Sequence, residues 1–364
     1  MNLKILSIST LVLAVLATIT YFVKNADNSA PQDPRVGQAI IANEALNSVT
    51  TFEMISGNES MTFVKDDASA QWLLQEQYNL PANAKQIADL ITQLKDAKLE
   101  RVASTNPARI ADFGFGIDYI NLLNANGDSV LSLDLGRETD SGKQLVRYGQ
   151  ENVAFIANDA FTVNGDPTSW LDKTLLEISR DDIRSAAFTL PDGQTLAVSR
   201  ESDTADWTTS DPLPAGKQLD QGAITRALNR FAKVSFTSLA DLTDPEALAA
   251  KANSRSLSLT LADSSSYDIT LGRRPEVRVM KDVETTNDAG ETVTEQREDV
   301  ETPAGPVFIS IKSAKTDDPI NEYMTRTAYQ AGAFLFTNMP QTLDSLLADA
   351  PEPEPEPTPT TPTE

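Results

Sequence analysis

The sequence predicts an α+β protein: two tandem copies of a small antiparallel-sheet-plus-helix domain after an N-terminal transmembrane helix. Three observations carry this expectation. Met61, Phe63 and Trp72 recur 135 residues later as Leu196, Val198 and Trp207, and Phe52, Met54 and Gly57 recur at 136 as Phe188, Leu190 and Gly193. In each half, strand-like alternation of apolar and polar residues surrounds one stretch with helical apolar spacing. Ile5 to Val23 is a run of 19 residues without a charge. Repeats this long are whole domains rather than solenoid units.

The N-terminal segment comes first. At 1.5 Å per residue, Ile5 to Val23 spans about 28 Å, close to the hydrocarbon thickness of a bilayer. A cleaved signal peptide is the alternative, but its apolar stretch would be shorter, and the nearest candidate cut, after Ala30, faces Pro31. With no cysteine in the chain a lipoprotein anchor is excluded. Residues 1–24 are therefore expected to be an uncleaved anchor. One lysine on each side, Lys4 and Lys24, leaves orientation undetermined by charge. Residues 25–37, polar and with two prolines, read as a linker.

The first copy is expected over 38–178. Phe52 and Met54, a turn at Ser56-Gly57-Asn58, then Met61 and Phe63 make a hairpin, with Trp72 on a third strand. Lys85 to Leu99 should form a helix through Ile87, Leu90, Ile91 and Leu94. A meander follows: Ile120 and Leu122, an Asn126-Gly127 turn, then Leu131, Leu133 and Leu135, with one face buried and one wet. Strands near Val146 to Tyr148 and Val153 to Ile156 close the copy. The second copy, over 179–349, repeats the hairpin around Pro191-Asp192-Gly193. Its helix is expected over Gln218 to Phe231, its meander over Leu257 to Leu271, and its last strand over Ala333 to Phe336.

The copies differ by an insertion of about 45 residues after Arg273. Within it, at about 275–305, a protruding hairpin is predicted around Asp288-Ala289-Gly290. It carries nine acids (Glu276, Asp282, Glu284, Asp288, Glu291, Glu295, Glu298, Asp299 and Glu301) against three bases. Such a surface should seek a basic partner through a salt-sensitive contact, or serve only as a solvated hairpin. Residues 350–364 form a Pro/Glu tail expected to be disordered.

Composition narrows the chemistry. Fifty-three acidic against thirty basic side chains give a net charge of −23, which argues against nucleic acid. There is no cysteine and no histidine, so thiolate nucleophiles, Cys or His metal sites and imidazole triads are absent. Asn124, Asn126 and Asp128 lack the rest of a calcium loop and read as a hairpin turn. Neither GxGxxG nor GxxxxGK[ST] occurs. Gly136 and Gly272, in matching Leu-Gly-Arg triplets, read as strand ends needing an unusual backbone angle. Trp72 and Trp207 read as core markers, the alternative being a stacking platform for a glycan. Lys85-Gln86 and Lys217-Gln218 read as solvated helix starts. No catalytic, cofactor or metal residue is expected.

The chain resembles the bacterial envelope proteins grouped as domain-of-unknown-function family 4340. The resemblance rests on the N-terminal anchor, the tryptophan strand with a Pro-initiated helix, Asp112-Phe113-Gly114-Phe115, Leu133-Asp134-Leu135-Gly136, Val153-Ala154-Phe155-Ile156 and Trp170-Leu171-Asp172-Lys173-Thr174-Leu175-Leu176 leading to Ile183. It covers about residues 40–345. In the second copy Leu242-Thr243-Asp244-Pro245 replaces the aromatic-Gly step. The resemblance implies an envelope protein encoded beside gliding-motility-type ABC transporter components, with no catalytic residues to carry over. The expectation is a non-enzymatic, single-pass inner-membrane protein with its soluble part on the periplasmic side. It would serve as an accessory or scaffold beside an ABC transporter permease or auxiliary subunit; the alternative is a periplasmic glycan- or peptide-binding module.

Overall fold

The computed structural model describes residues 33–67, 69–286 and 292–351, together with Thr18 and Thr20. The protein is α+β, with two large antiparallel sheets and short helices, and it divides into two compact units between Asp172 and Lys173. The division precedes the boundary expected after residue 178 because β10 (Thr174–Glu177) pairs with β14 (Lys233–Ala240) in the second unit. Apart from Thr18 and Thr20, the Ile5 to Val23 span lies outside the described residues, as does the tail beyond Pro351. Among those described, no helix is long and apolar enough to cross a membrane.

In the first unit, β1 (Val49–Ser56) and β2 (Glu59–Lys65) pair Phe52 with Phe63 and Met54 with Met61. All four side chains are buried, as period-2 alternation requires. β3 (Trp72–Leu74) and β4 (Leu80–Pro81) extend one side. On the other side lie β6 (Asp118–Asn124), β7 (Ser129–Glu138), β8 (Gln144–Tyr148), β9 (Ala154–Ala157) and β5 (Leu99–Ser104). The order is β4-β3-β2-β1-β6-β7-β8-β9-β5. After the one-turn α1 (Asn43–Leu46), the long helix α2 (Ala84–Asp96) buries Ile87, Leu90 and Leu94. The Asn83 side chain caps it by accepting from the Lys85 and Gln86 N–H groups. The helix stops short of the expected Leu99, which instead opens β5.

The start of the unit also differs from expectation. Residues 33–37 are not linker: the Gly37 N–H donates to the Leu99 carbonyl at 2.7 Å and the Leu99 N–H to Gln38 at 3.0 Å. Arg35 lies over the rings of Tyr148 and Phe155, 5.2 and 4.8 Å from their centroids, and pairs with Asp33 and Glu151. The Arg35 guanidinium holds the Asp33 carboxyl below its ordinary range.

The second unit's sheet comprises β10, β14, β11 (Ile183–Thr189), β12 (Thr195–Ser199), β15 (Ser254–Leu261), β16 (Ser266–Arg273), β19 (Val307–Ser313) and β20 (Ala328–Ala331). Its order is β10-β14-β20-β19-β16-β15-β11-β12. From β12 to β14 this reproduces the first unit from β2 to β5, strand for strand. Its long helix, α4 (Gln221–Asn229), is capped by Asp220 and is shorter than the expected Gln218 to Phe231. The residues Lys217–Leu219 form β13, paired with β21 (Leu347–Asp349), so Lys217-Gln218 opens no helix. Nor does each unit hold a single helix: α3 (Pro107–Ala111), α5 (Pro245–Lys251), α6 (Pro319–Arg326) and α7 (Ala333–Thr337) are added.

Ala333 to Phe336, expected as the last strand, is the short helix α7; an apolar run of this length cannot be assigned by periodicity alone. The strand is β20, whose Tyr329 pairs with Ile309 as Phe155 of β9 pairs with Val146. The extra residues therefore fall in two places. One is the ribbon β17 (Val277–Thr286) and β18 (Thr292–Thr302) between β16 and β19, and the other is α6 between β19 and β20.

Candidate functional site

The ribbon is a two-stranded sheet of its own, joined through no strand pairing to the eight-stranded sheet. Its base is closed by the Gly305 N–H donating to Arg274 at 3.0 Å and by the Arg274–Glu246 ion pair at 2.8 Å. Two of the ribbon's three bases are engaged internally: Arg278 with Glu276 and Glu298, and Lys281 with Asp299 at 2.6 Å. Asp282 accepts from Gln296, while Glu284 and Glu301 face solvent. Glu295 sits opposite Val283. Asp288 and Glu291 lie outside the described residues. Val277, Val300 and Met280, the last 59% exposed, add apolar surface to the same ribbon.

Gly136 and Gly272 occupy matched places, but neither has the positive φ that a strand-end turn would need. The reason is close approach instead. A Cβ on Gly136 would stand 2.7 Å from the Phe113 carbonyl oxygen, and one on Gly272 would stand 2.8 Å from the Ala250 carbonyl carbon. In each unit the backbone following or ending a short helix, α3 or α5, lies on the sheet there.

Around Gly136 the second sheet face is covered, against the expectation that it is wet. Asp134 is fully buried. Its carboxylate accepts from the Gly116 N–H at 3.0 Å and from Arg147 Nε at 3.2 Å, and Arg147 Nη2 closes a second bond. The Arg147 guanidinium lies 4.8 Å from the Phe115 ring centroid. β7 pairs Asp134 with Arg147, and β16 pairs Thr270 with Ser310, so the second unit holds two hydroxyls where the first holds an ion pair. There, Thr270 and Ser310 line a groove of about 240 Å³ between α5 and α6, with Leu242, Ala247, Phe308 and Met324. Alternation alone hid this pair, because Asp134 stands at the position that reads as solvent-facing.

The tryptophans diverge as well. Trp207 is buried: its indole N–H donates to Thr225 at 3.2 Å, and Arg200 lies 4.7 Å from its ring centroid. Arg200 also donates to the carbonyls of Ile183, Arg180 and Asp203, and burial holds its pKa below the ordinary value. Trp72 is only half-buried, so it is not the core marker expected. A further matched pair shields each outer hairpin strand. Glu76 accepts from the Thr62 N–H at 2.8 Å and Asp211 from the Ala197 N–H at 2.7 Å, both pairs standing 135 residues apart. That register was available in the sequence for polar positions too.

Among the described residues no group of three or more acids is placed to hold a metal ion. Lys85 pairs with Asp89 at 2.6 Å on the wet side of α2. Asn124 closes the meander turn by accepting from the Asn126 and Asp128 N–H groups.

A family model described as Domain of unknown function (DUF4340) matches residues 72–253, from β3 of the first unit to the residue following α5 and Ala252 in the second. No curated protein and no solved structure matches the chain.

Proposed function

We propose that this chain, which belongs to the DUF4340 family, is a non-enzymatic, membrane-anchored envelope protein acting as an accessory or scaffold subunit of an ABC-type transport complex. In this reading Ile5 to Val23 is the anchor in the inner membrane, and the two units are tandem copies of one domain on the periplasmic side. The family resemblance supports the setting, and the shared strand order supports the duplication.

The observation that carries the scaffold role is the β17–β18 ribbon. It stands outside the sheet, so its removal leaves the strand ladder whole. It combines acids left over after internal pairing with exposed Met280, Val277 and Val300, a pairing of charge for steering with apolar area for contact. The test is replacement of Glu276 to Ala304 by a short turn, keeping Arg274 and Gly305 at the base. The melting temperature should stay near that of the parent, while co-purification with the permease and its auxiliary subunits is lost. In the parent, that co-purification should weaken as salt rises. Retention of the same partners by the ribbonless variant would refute the assignment.

A further inference from the structure

Lys65 and Arg200 stand 135 residues apart, like Trp72 and Trp207. In the second unit the Arg200 guanidinium lies over the tryptophan ring, 4.7 Å from its centroid, tied to the carbonyls of the Ile183 and Arg180 segment. The first unit lacks this plug. Lys65 and Trp72 there line a recess of about 240 Å³ with Phe52, Leu122, Ile87 and Ile91. Leu46, Asn47 and Val49 complete its rim.

The indole donors differ in the same sense. Trp170 donates to the Asn164 carbonyl at 2.7 Å and Trp207 to Thr225 at 3.2 Å. The Trp72 indole N–H has no hydrogen-bond partner among the described residues. Counting from the helix caps, Asn83 for α2 and Asp220 for α4, the place of Thr225 is taken by Ala88, which carries no side-chain acceptor. Lys65 has no carboxylate within ion-pair distance among the described residues. An unused indole N–H and an unpaired ammonium therefore border one apolar recess.

We propose that this recess binds a small organic monocarboxylate with an aryl or branched-alkyl body. The body fills the space against Phe52, Ile87, Ile91 and Leu122, which is the volume of about eight waters. One carboxylate oxygen accepts from the Trp72 indole N–H and the other meets the Lys65 ammonium, a charge-assisted contact. A single cation and a single neutral donor match one negative charge; a phosphate dianion would need more of each. The second unit has lost the site by placing its own cation on the ring.

The test uses the purified full chain and 3-phenylpropionate, with 3-phenylpropanol as the neutral isostere, read by isothermal titration and ligand-observed NMR. The acid should bind saturably and at least tenfold more tightly than the alcohol. Lys65→Arg, which keeps the charge but installs the plug of the second unit, should abolish binding. Lys65→Gln, which leaves the recess open, should bring acid and alcohol to equal affinity. Ala88→Thr should weaken the acid severalfold by giving Trp72 an internal acceptor. Unaltered melting temperatures would show that each variant folds. Equal binding of acid and alcohol by the parent, full acid binding by Lys65→Arg, or no saturable binding would each overturn the assignment.

Discussion

The Asp134–Arg147 pair offers the sharpest test of the packing argument. Asp134 has no exposed side-chain surface and Arg147 retains 18%. Removing the carboxylate by Asp134→Ala takes away both guanidinium bonds and the acceptor of the Gly116 N–H. Breaking a buried pair from one side costs about 3–5 kcal/mol, because the remaining charge is left without compensation. Arg147 can turn part of its head toward water, so the lower end applies, about 3 kcal/mol. Asp134→Thr with Arg147→Ser, the residues found at the matched places in the second unit, removes both charges together and should cost less than the two single changes summed. With two units, global unfolding need not be two-state, so the assay is hydrogen exchange. Peptides from β7 and β8 should lose protection while those from β16 and β19 keep it. A cost below about 1 kcal/mol for Asp134→Ala, or strict additivity of the pair, would show that Asp134 is not held by Arg147 in the way described.

Gly136→Ala and Gly272→Ala should each lower the melting temperature of their own unit, because the added methyl meets a backbone carbonyl that cannot rotate away; calorimetry resolving the two units would check this, and unaltered transitions would refute the close-approach account. Burial pushes the Tyr148 hydroxyl up to about 12. The folded state thus holds that proton more tightly than the unfolded chain, whose tyrosine titrates at about 10. The resulting stability is whole below about pH 10 and is lost as pH rises toward about 12, so Tyr148→Phe should flatten urea midpoints over that window. Asp211→Ala frees the Ala197 N–H on the outer strand β12, and light scattering should show increased self-association as the unshielded edge recruits other strands.

Much of this architecture was legible because apolar side chains obey the strand period. Phe52, Met54, Met61 and Phe63, and their counterparts Phe188, Leu190, Leu196 and Val198, are all buried. The two acid-shielded strands also obey the repeat, although a carboxylate fourteen residues from a backbone N–H has no local signature. The misreadings share a cause, which is that neither contact nor close approach is periodic. Asp134 alternates like a surface residue, yet it is buried where the Gly116 N–H, on the chain after α3, and Arg147 of β8 meet it. Gly136 carries the signature of a turn but serves to admit that same backbone. Phe334 and Phe336 carry enough apolar weight for a strand, yet their chain coils after Gly332, leaving Phe334 exposed and Phe336 against Arg255 at 4.0 Å.

The divergence of the two units follows a physical rule. On the proposed duplication, the inner sheet face is fixed by mutual packing, since changing one buried residue disturbs all its neighbours. The outer face meets only short helices and loops, and the tryptophan end meets one side of the long helix, so they could change independently. They changed in opposite senses. The first unit buries Asp134 against Arg147 on its outer face and has Trp72 beside an open recess. The second reduced the pair to Thr270 and Ser310, which line a groove, and closed its tryptophan with Arg200. A buried guanidinium needs acceptors to offset its desolvation. Arg147 has a carboxylate and Arg200 only carbonyls; burial, with the nearby Arg184 charge, holds the pKa of Arg200 below its ordinary value. The two units therefore present different side chains at the same two places, an ion pair against two hydroxyls and a half-buried tryptophan against one under a guanidinium, while the inner faces of both sheets keep the same apolar burial.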